Sequence, residues 1–124
     1  MTKSQCIVAV VDDDPSMLNS IEYLLDAHGF SVELYSSAET FTKRDPLDDI
    51  SCLVLDIHLS GMSGFDLQHL LSERGYRFPV IFITAVADEV IARTAQNAGC
   101  PLLRKPFSSG GLINAIRRAI ERNQ

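Results

Sequence analysis

Five short apolar runs alternate along this chain with longer stretches of helical periodicity. The runs are residues 6–11 (CIVAVV), 31–35 (SVELY), 52–55 (CLVL, leading into Asp56), 79–83 (PVIFI) and 101–104 (PLLR). Each is too short for a lone helix and suits a strand. Those at 6–11, 52–55 and 79–83 are continuously apolar, as strands covered on both faces are, whereas 31–35 alternates and suits a less buried strand. Between them the apolar residues recur every three or four positions. Met17, Ile21, Leu24 and Leu25 mark a first helix, opened by Asp14 as N-cap and Pro15 in the first turn and ended by Gly29. Ser36 or Ser37 starts a short second helix carrying Ala38 and Phe41, which Pro46 closes. Phe65, Leu67, Leu70 and Leu71 mark a third, ending near Gly75. Val90, Ile91, Thr94, Ala95 and Ala98 mark a fourth, closed by Gly99. Leu112, Ile113, Ile116, Ala119 and Ile120 give a last amphipathic helix.

Five strand-helix units in strict alternation predict an α/β fold, a doubly wound parallel sheet of five strands with helices on both faces. Right-handed crossovers then bring every strand's C-terminal end to one edge. That edge collects Asp12 and Asp13 from the first strand, Asp56 from the third, Thr84 from the fourth and Lys105 from the fifth. At 124 residues the chain has the size of one domain, 1–124, with a single core.

Composition changes this picture little. A net charge of −5 argues against a nucleic-acid surface. No apolar run approaches the roughly 20 residues of a membrane span. The N-terminal apolar stretch is too short for a signal peptide and runs straight into acid, so a cytoplasmic location is expected. Cys6, Cys52 and Cys100 are odd in number, scattered and free of any CxxC, which makes neither a disulfide framework nor a zinc site.

The chemistry lies at the acidic edge. Three carboxylates in one crevice repel one another and need positive charge. Lys105 supplies one. A hard divalent cation is the natural second, since oxygen-rich sites select magnesium or calcium. Magnesium takes one or two carboxylates plus phosphate oxygens and keeps several waters. One carboxylate is then left as a nucleophile toward phosphorus. Thr84 could donate a hydrogen bond to a phosphoryl oxygen, and Lys105 could neutralise another. The remaining polar residues read as structural. His58 is a loop side chain, since magnesium prefers oxygen to imidazole. His28 is a helix-dipole partner and His69 faces solvent. Gly61 and Gly64 serve turns, with no dinucleotide fingerprint. Arg117, Arg118 and Arg122 form a solvated face near a helix end.

VVDDD at 10–14, Asp56 followed by GMSG at 61–64, Ile83-Thr84-Ala85 and Lys105-Pro106-Phe107, in this order and at these spacings, resemble the receiver domain of two-component response regulators over essentially the whole chain. The resemblance implies a flavodoxin-like sheet of order 2-1-3-4-5 with five helices, and a phosphoacceptor signalling role. Asp56 would accept a phosphoryl group from a histidine kinase. Mg2+ would be held by Asp13, Asp56 and the backbone carbonyl of His58, with Asp12 acting mainly through a bound water. Thr84 and Lys105 would contact the phosphoryl group, and the Lys105–Pro106 bond would be cis. The signal would leave by the face of the fourth helix, fifth strand and fifth helix. The partners implied are a sensor histidine kinase or phosphotransfer protein, and an output domain or protein target. The sequence departs from the family pattern in having Ser60 where a proline is usual, Leu102 at the aromatic switch position, and His58 and Val86 at two positions that tune dephosphorylation.

A switch of this kind is not a turnover enzyme. Two other readings compete with it. An aspartate-nucleophile phosphohydrolase needs a general acid near the nucleophile, and the nearest downstream candidate is His58, with no cap domain in 124 residues. A receiver-like interaction module that ignores phosphate fits Ser60 and Leu102 but not the intact set of Asp12, Asp13, Asp56, Thr84 and Lys105. With the chain ending at Gln124, both a single-domain regulator and the receiver of a longer protein fit.

Overall fold

The computed structural model describes residues 6–123; the first five, which open the stretch lacking a signal-peptide pattern, lie outside it, as does Gln124. Strands β1 (Ile7–Val11), β2 (Ser31–Tyr35), β3 (Ile50–Asp56), β4 (Val80–Thr84) and β5 (Leu102–Arg104) alternate with helices α1 (Pro15–Ala27), α2 (Ala38–Thr42), α3 (Gly64–Glu73), α4 (Glu89–Asn97) and α5 (Ser109–Arg122). The sheet is parallel, in the order β2-β1-β3-β4-β5. This is the doubly wound arrangement that the alternation predicts, in the flavodoxin-like strand order that the resemblance implies.

The apolar runs make central strands because both of their faces are covered. Val8 and Val10 of β1, Cys52 and Val54 of β3, and Ile81 and Ile83 of β4 pack with α1 and α5. Their neighbours Ala9, Val11, Leu53, Leu55, Val80 and Phe82 pack on the other face, with α2, α3 and α4. Phe65 of α3 meets Phe82 edge-on, ring centroids 4.9 Å apart. Each helix opens on a side-chain N-cap: Asp14, Ser37, Ser63, Asp88 and Ser108. Ser63 and Asp66 complete a reciprocal capping box. Asp14 is thus a cap, and His28 bonds the Leu24 carbonyl through Nδ1 at the end of α1. His69 is exposed, beside Glu73.

Several boundaries differ from expectation. The short α2 ends at Thr42, four residues before Pro46, and the chain there turns through a cis Asp45–Pro46 bond. β3 begins at Ile50, two residues before the apolar run, because Ile50 is covered by the core. The apolar stripe of α4 is narrower than its sequence suggests. Ala95 is buried and Ile91 partly so, while Val90 is 72% exposed and Thr94 and Ala98 face solvent. Gly64 is not a turn residue but the first residue of α3, pressed against the end of β3.

A charged cluster that the sequence does not advertise ties β2 to the α2–β3 connection. Arg44 donates to both carboxylate oxygens of Glu33, to both of Asp49 and to the Pro46 carbonyl. The hydrogen bond from Arg44 holds the Glu33 carboxyl below its ordinary pKa, against the opposing effect of burial. Arg44→Met is expected to cost about 1 kcal/mol, hydrogen bonds to charged groups being discounted for solvent screening. Because the folded-state pKa of Glu33 is depressed, this stability is full above its ordinary value of 4.5 and is lost as pH falls through the lowered one. Melting curves of parent and variant should therefore converge as pH drops below that window. A gap that stays constant down to full protonation would show that the ion pair is not its source.

Candidate functional site

Parallel register brings the acids together. Val11 of β1 lies opposite Leu55 of β3, so Asp12 and Asp56 leave adjacent strands at the same level. Lys105 follows β5, its backbone N–H donating to the Thr84 carbonyl at 2.7 Å. From there its side chain reaches inward. Nζ donates to Asp12 Oδ2 at 2.9 Å and to Asp56 Oδ2 at 3.2 Å. The other Asp12 oxygen accepts the Asp14 N–H at 2.9 Å, and the other Asp56 oxygen accepts the His58 N–H at 3.1 Å. The Lys105–Pro106 bond is cis.

Asp12 is fully buried and Asp56 is 5% exposed. Removal from water raises the Asp56 pKa above its ordinary value, and the charge of Asp12 raises it further. Lys105 and the His58 N–H offset this only in part. For Lys105, burial acts to lower the pKa. The hydrogen bond to Asp12 and the charges of Asp56 and Asp12 outweigh it and hold the ammonium above its ordinary range.

Asp13 is exposed and belongs to the same cluster: oxygens of Asp12, Asp13 and Asp56 lie within 4.8 Å of one another, close enough to share a metal ion. Three carboxylates face one ammonium. Asp13 opens the cluster to solvent, as a cation that keeps part of its water shell requires. Among the described residues no donor reaches the His58 carbonyl, which leaves it free to serve as a ligand. The donor set is all oxygen, the chemistry of a hard divalent cation.

Thr84 is fully buried at the end of β4, but its hydroxyl is not aimed at the carboxylates. It donates to the Val86 carbonyl at 2.8 Å and accepts the Val86 N–H at 3.2 Å. Ser60 has a contact that a proline could not make in full. Both its N–H and its hydroxyl approach Asp13 Oδ2, at 3.4 and 3.5 Å. Leu102 is half-buried at the start of β5, against the α4 side of the core. Cys52 and Cys100 are free thiols. Cys52 is buried among core side chains, which push its thiol pKa up to about 12 and make it inert at neutral pH. No described helix is long and apolar enough to cross a membrane.

Known proteins resemble the chain over nearly its whole length. Residues 8–117 match the family model of the response regulator receiver domain. The transcriptional regulatory protein TdiR of Thauera aromatica is 34% identical over 124 residues, which cover 99% of this chain and 55% of that protein. The response regulator protein TodT of Pseudomonas putida is 35% identical over 122 residues, 98% of this chain and 54% of that protein. The structure of full-length FixJ from B. japonicum superposes with a TM-score of 0.90 at 30% identity, over 98% of this chain and 61% of that one. The chain thus spans about half the length of the curated relatives it matches.

Proposed function

Since the chain belongs to the response regulator receiver family, the phosphoacceptor modules of two-component systems, we propose that Asp56 is its phosphorylation site and that Mg2+ is the cation of the acid cluster. All of residues 1–124 are read as one receiver domain. The observation that carries the proposal is the Asp56 carboxylate itself: nearly buried at the mouth of a central strand, beside a second buried carboxylate, with one oxygen 3.2 Å from an ammonium.

In the transfer, an Asp56 oxygen attacks phosphorus and the phosphorus–nitrogen bond of a kinase phosphohistidine breaks. The bonding pair leaves with the imidazole nitrogen. Asp13, Asp56 and the His58 carbonyl would hold Mg2+, with Asp12 reaching it through water. Bound there, the cation would neutralise charge on the carboxylates and phosphoryl oxygens. Lys105 already bridges Asp12 and Asp56, and can pass a hydrogen bond to a phosphoryl oxygen as negative charge builds up. No general acid beside Asp56 favours hydrolysis: His58 is exposed and bonds Asp56 through its backbone, and Val86 is apolar. A stable acyl phosphate, and so a switch rather than a turnover enzyme, is what these residues support.

The signal is proposed to leave through Thr84. To reach a phosphoryl oxygen its hydroxyl must give up the Val86 carbonyl, which frees the β4–α4 loop. That loop leads into α4, where Ala95 is the one fully buried side chain. A helix held so lightly moves at low cost. Leu102 lacks a hydroxyl to exchange between solvent and interior, so it reports only by packing. The donor is proposed to be a sensor histidine kinase or phosphotransfer protein, and the target an output domain or a separate protein. A cytoplasmic setting fits such partners.

Asp13→Ala separates the cation from the rest of the site. Asp13 is exposed, and among the described residues its side chain makes only the long hydrogen bonds with Ser60, so little structure is lost with it. The variant's cation-free form should melt no lower than the parent, because a like charge is removed. The upward shift in melting temperature that Mg2+ gives the parent should vanish. A persistent shift would exclude Asp13 as a ligand.

A further inference from the structure

We infer that Glu39, on α2 and outside the acid cluster, is a positioning residue whose carboxylate holds the β3–α3 loop in the shape that presents the His58 carbonyl to the cation. The inference rests on the cation site proposed above. Glu39 Oε2 accepts the Met62 N–H at 2.8 Å, a contact spanning 23 residues. The same oxygen is pressed against the loop at Gly61: a Cβ on that residue would stand 2.6 Å from it. Gly61 has a φ of +77°, so the loop turns there through a conformation that side-chain-bearing residues rarely adopt. The glycine therefore serves two needs at once, the turn and the close approach of the carboxylate.

Leu59 and Met62 pack their side chains against the core, and a few hydrogen bonds fix the course of the loop between them. Its own ends are held by Leu59 N–H and Gly64 N–H on the Ile57 carbonyl and by Ser63 N–H on Asp66. Between Leu59 and Ser63, the hydrogen bonds to other elements among the described residues come from two side chains. Glu39 holds Met62 from the α2 side, and Asp13 meets Ser60 from the β1 side. The first is short and charge-assisted, the second long. His58 thus sits between Asp56 and a segment whose position Glu39 sets. The hydrogen bond from the Met62 N–H also holds the Glu39 carboxyl below its ordinary pKa, so it is the ionised form that binds the loop. A glutamate in a helix's first turn ordinarily serves only the helix dipole. That simpler role predicts no effect on the cation.

Glu39→Ala removes the acceptor; Glu39→Gln keeps an acceptor oxygen and drops the charge. Amide hydrogen exchange in the cation-free protein, a calorimetric Mg2+ titration and acetyl phosphate labelling at several Mg2+ concentrations read out the three proteins. In Glu39→Ala the Met62 amide should lose its protection, and Mg2+ affinity should fall about tenfold, as when an outer partner of a metal ligand is removed. Labelling should be slow at low Mg2+ and return to the parent rate at saturation. Glu39→Gln should fall between the parent and Glu39→Ala in all three, because a neutral amide oxygen accepts more weakly than a carboxylate. Unchanged Mg2+ affinity in Glu39→Ala overturns the inference, as does a labelling defect that saturating Mg2+ does not repair, which would mark general damage. A parent protein that binds no Mg2+ overturns the reading of the site, and the inference with it.

Discussion

Asp56→Asn protein, incubated with acetyl phosphate and Mg2+, should keep its unmodified mass, while the parent gains one phosphoryl group. The amide is neutral and a poor nucleophile, and no other carboxylate can take over. Asp12 is buried with both oxygens engaged, by Lys105 and by the Asp14 N–H, and Asp13 is proposed to be occupied as a ligand of the cation. The substitution should also raise the melting temperature of the cation-free protein. Burial and Asp12 raise the folded-state pKa of Asp56 above its ordinary 3.8, so the ionised carboxylate weakens the fold. That penalty is fully present above the raised pKa and disappears as pH falls through it toward the ordinary value. Lys105 keeps Asp12 as a partner, at 2.9 Å, so no buried ammonium is stranded. The stability gain should accordingly be largest near neutral pH and shrink in acid. Labelling of Asp56→Asn at the parent rate would move the phosphorylation site elsewhere. A gain that does not depend on pH would mean that the charge of Asp56 is not its cause.

Gly64→Ala should be the most damaging single-methyl substitution in the site. Gly64 has no unusual φ, so the reason is space alone. A Cβ there would lie 2.3 Å from the Asp56 carbonyl oxygen, 2.8 Å from Ile57 Cα and 3.0 Å from the Asp56 carbonyl carbon. All three are backbone atoms, so no side chain can rotate away. Either α3 lifts off the end of β3, or the strand end carrying Asp56 shifts. Overpacking of this kind costs about 2–3 kcal/mol, which lowers the melting temperature of a domain this size by on the order of 10 °C. Gly110→Ala is the control: it lies in α5 with nothing within 4 Å of a new Cβ, and alanine favours the helix. If Gly64→Ala melts with the parent, the close approach of α3 to β3 is not a constraint in solution.

The two glycines in the β3–α3 region show where reading the sequence stops. Gly61 and Gly64 both look like turn formers, and Gly61 is one. Gly64 is a helix residue kept small by a strand end, a demand visible only once α3 and β3 are packed. Glu39 and Arg44 were hidden for a similar reason. Each is an ordinary charged residue on a polar stretch, and its role depends on where a loop from elsewhere in the chain comes to lie. For Thr84 and Val90 the sequence pattern gives the position but not the surroundings. The threonine's place at a strand end is a matter of pattern, whereas its hydroxyl's choice of the Val86 carbonyl is a matter of local loop shape. Val90 fits the helical period of α4 yet faces solvent, because the helix touches the core along a stripe narrower than its apolar residues.

What the sequence by itself determined is the order and type of the elements, and with them the edge on which the chemistry sits. Periods of two and of three to four are local properties: they state whether a segment must hide one face, both, or a stripe, and chain order with right-handed crossovers does the rest. Acids following two apolar runs, and a lysine following a third, must therefore meet at one edge. Only the tertiary structure decided which of them touch. Lys105 lies 93 residues from Asp12 and 49 from Asp56, and its bridge between them depends on strand register and on the course of the loop after β5. Asp12 became the buried partner and Asp13 the exposed one, although they are neighbours of the same type, because successive residues leaving a strand point to opposite sides. Hydrogen-bond distances of about 3 Å are set by the packing of whole elements, and periodicity along one segment carries no information at that scale.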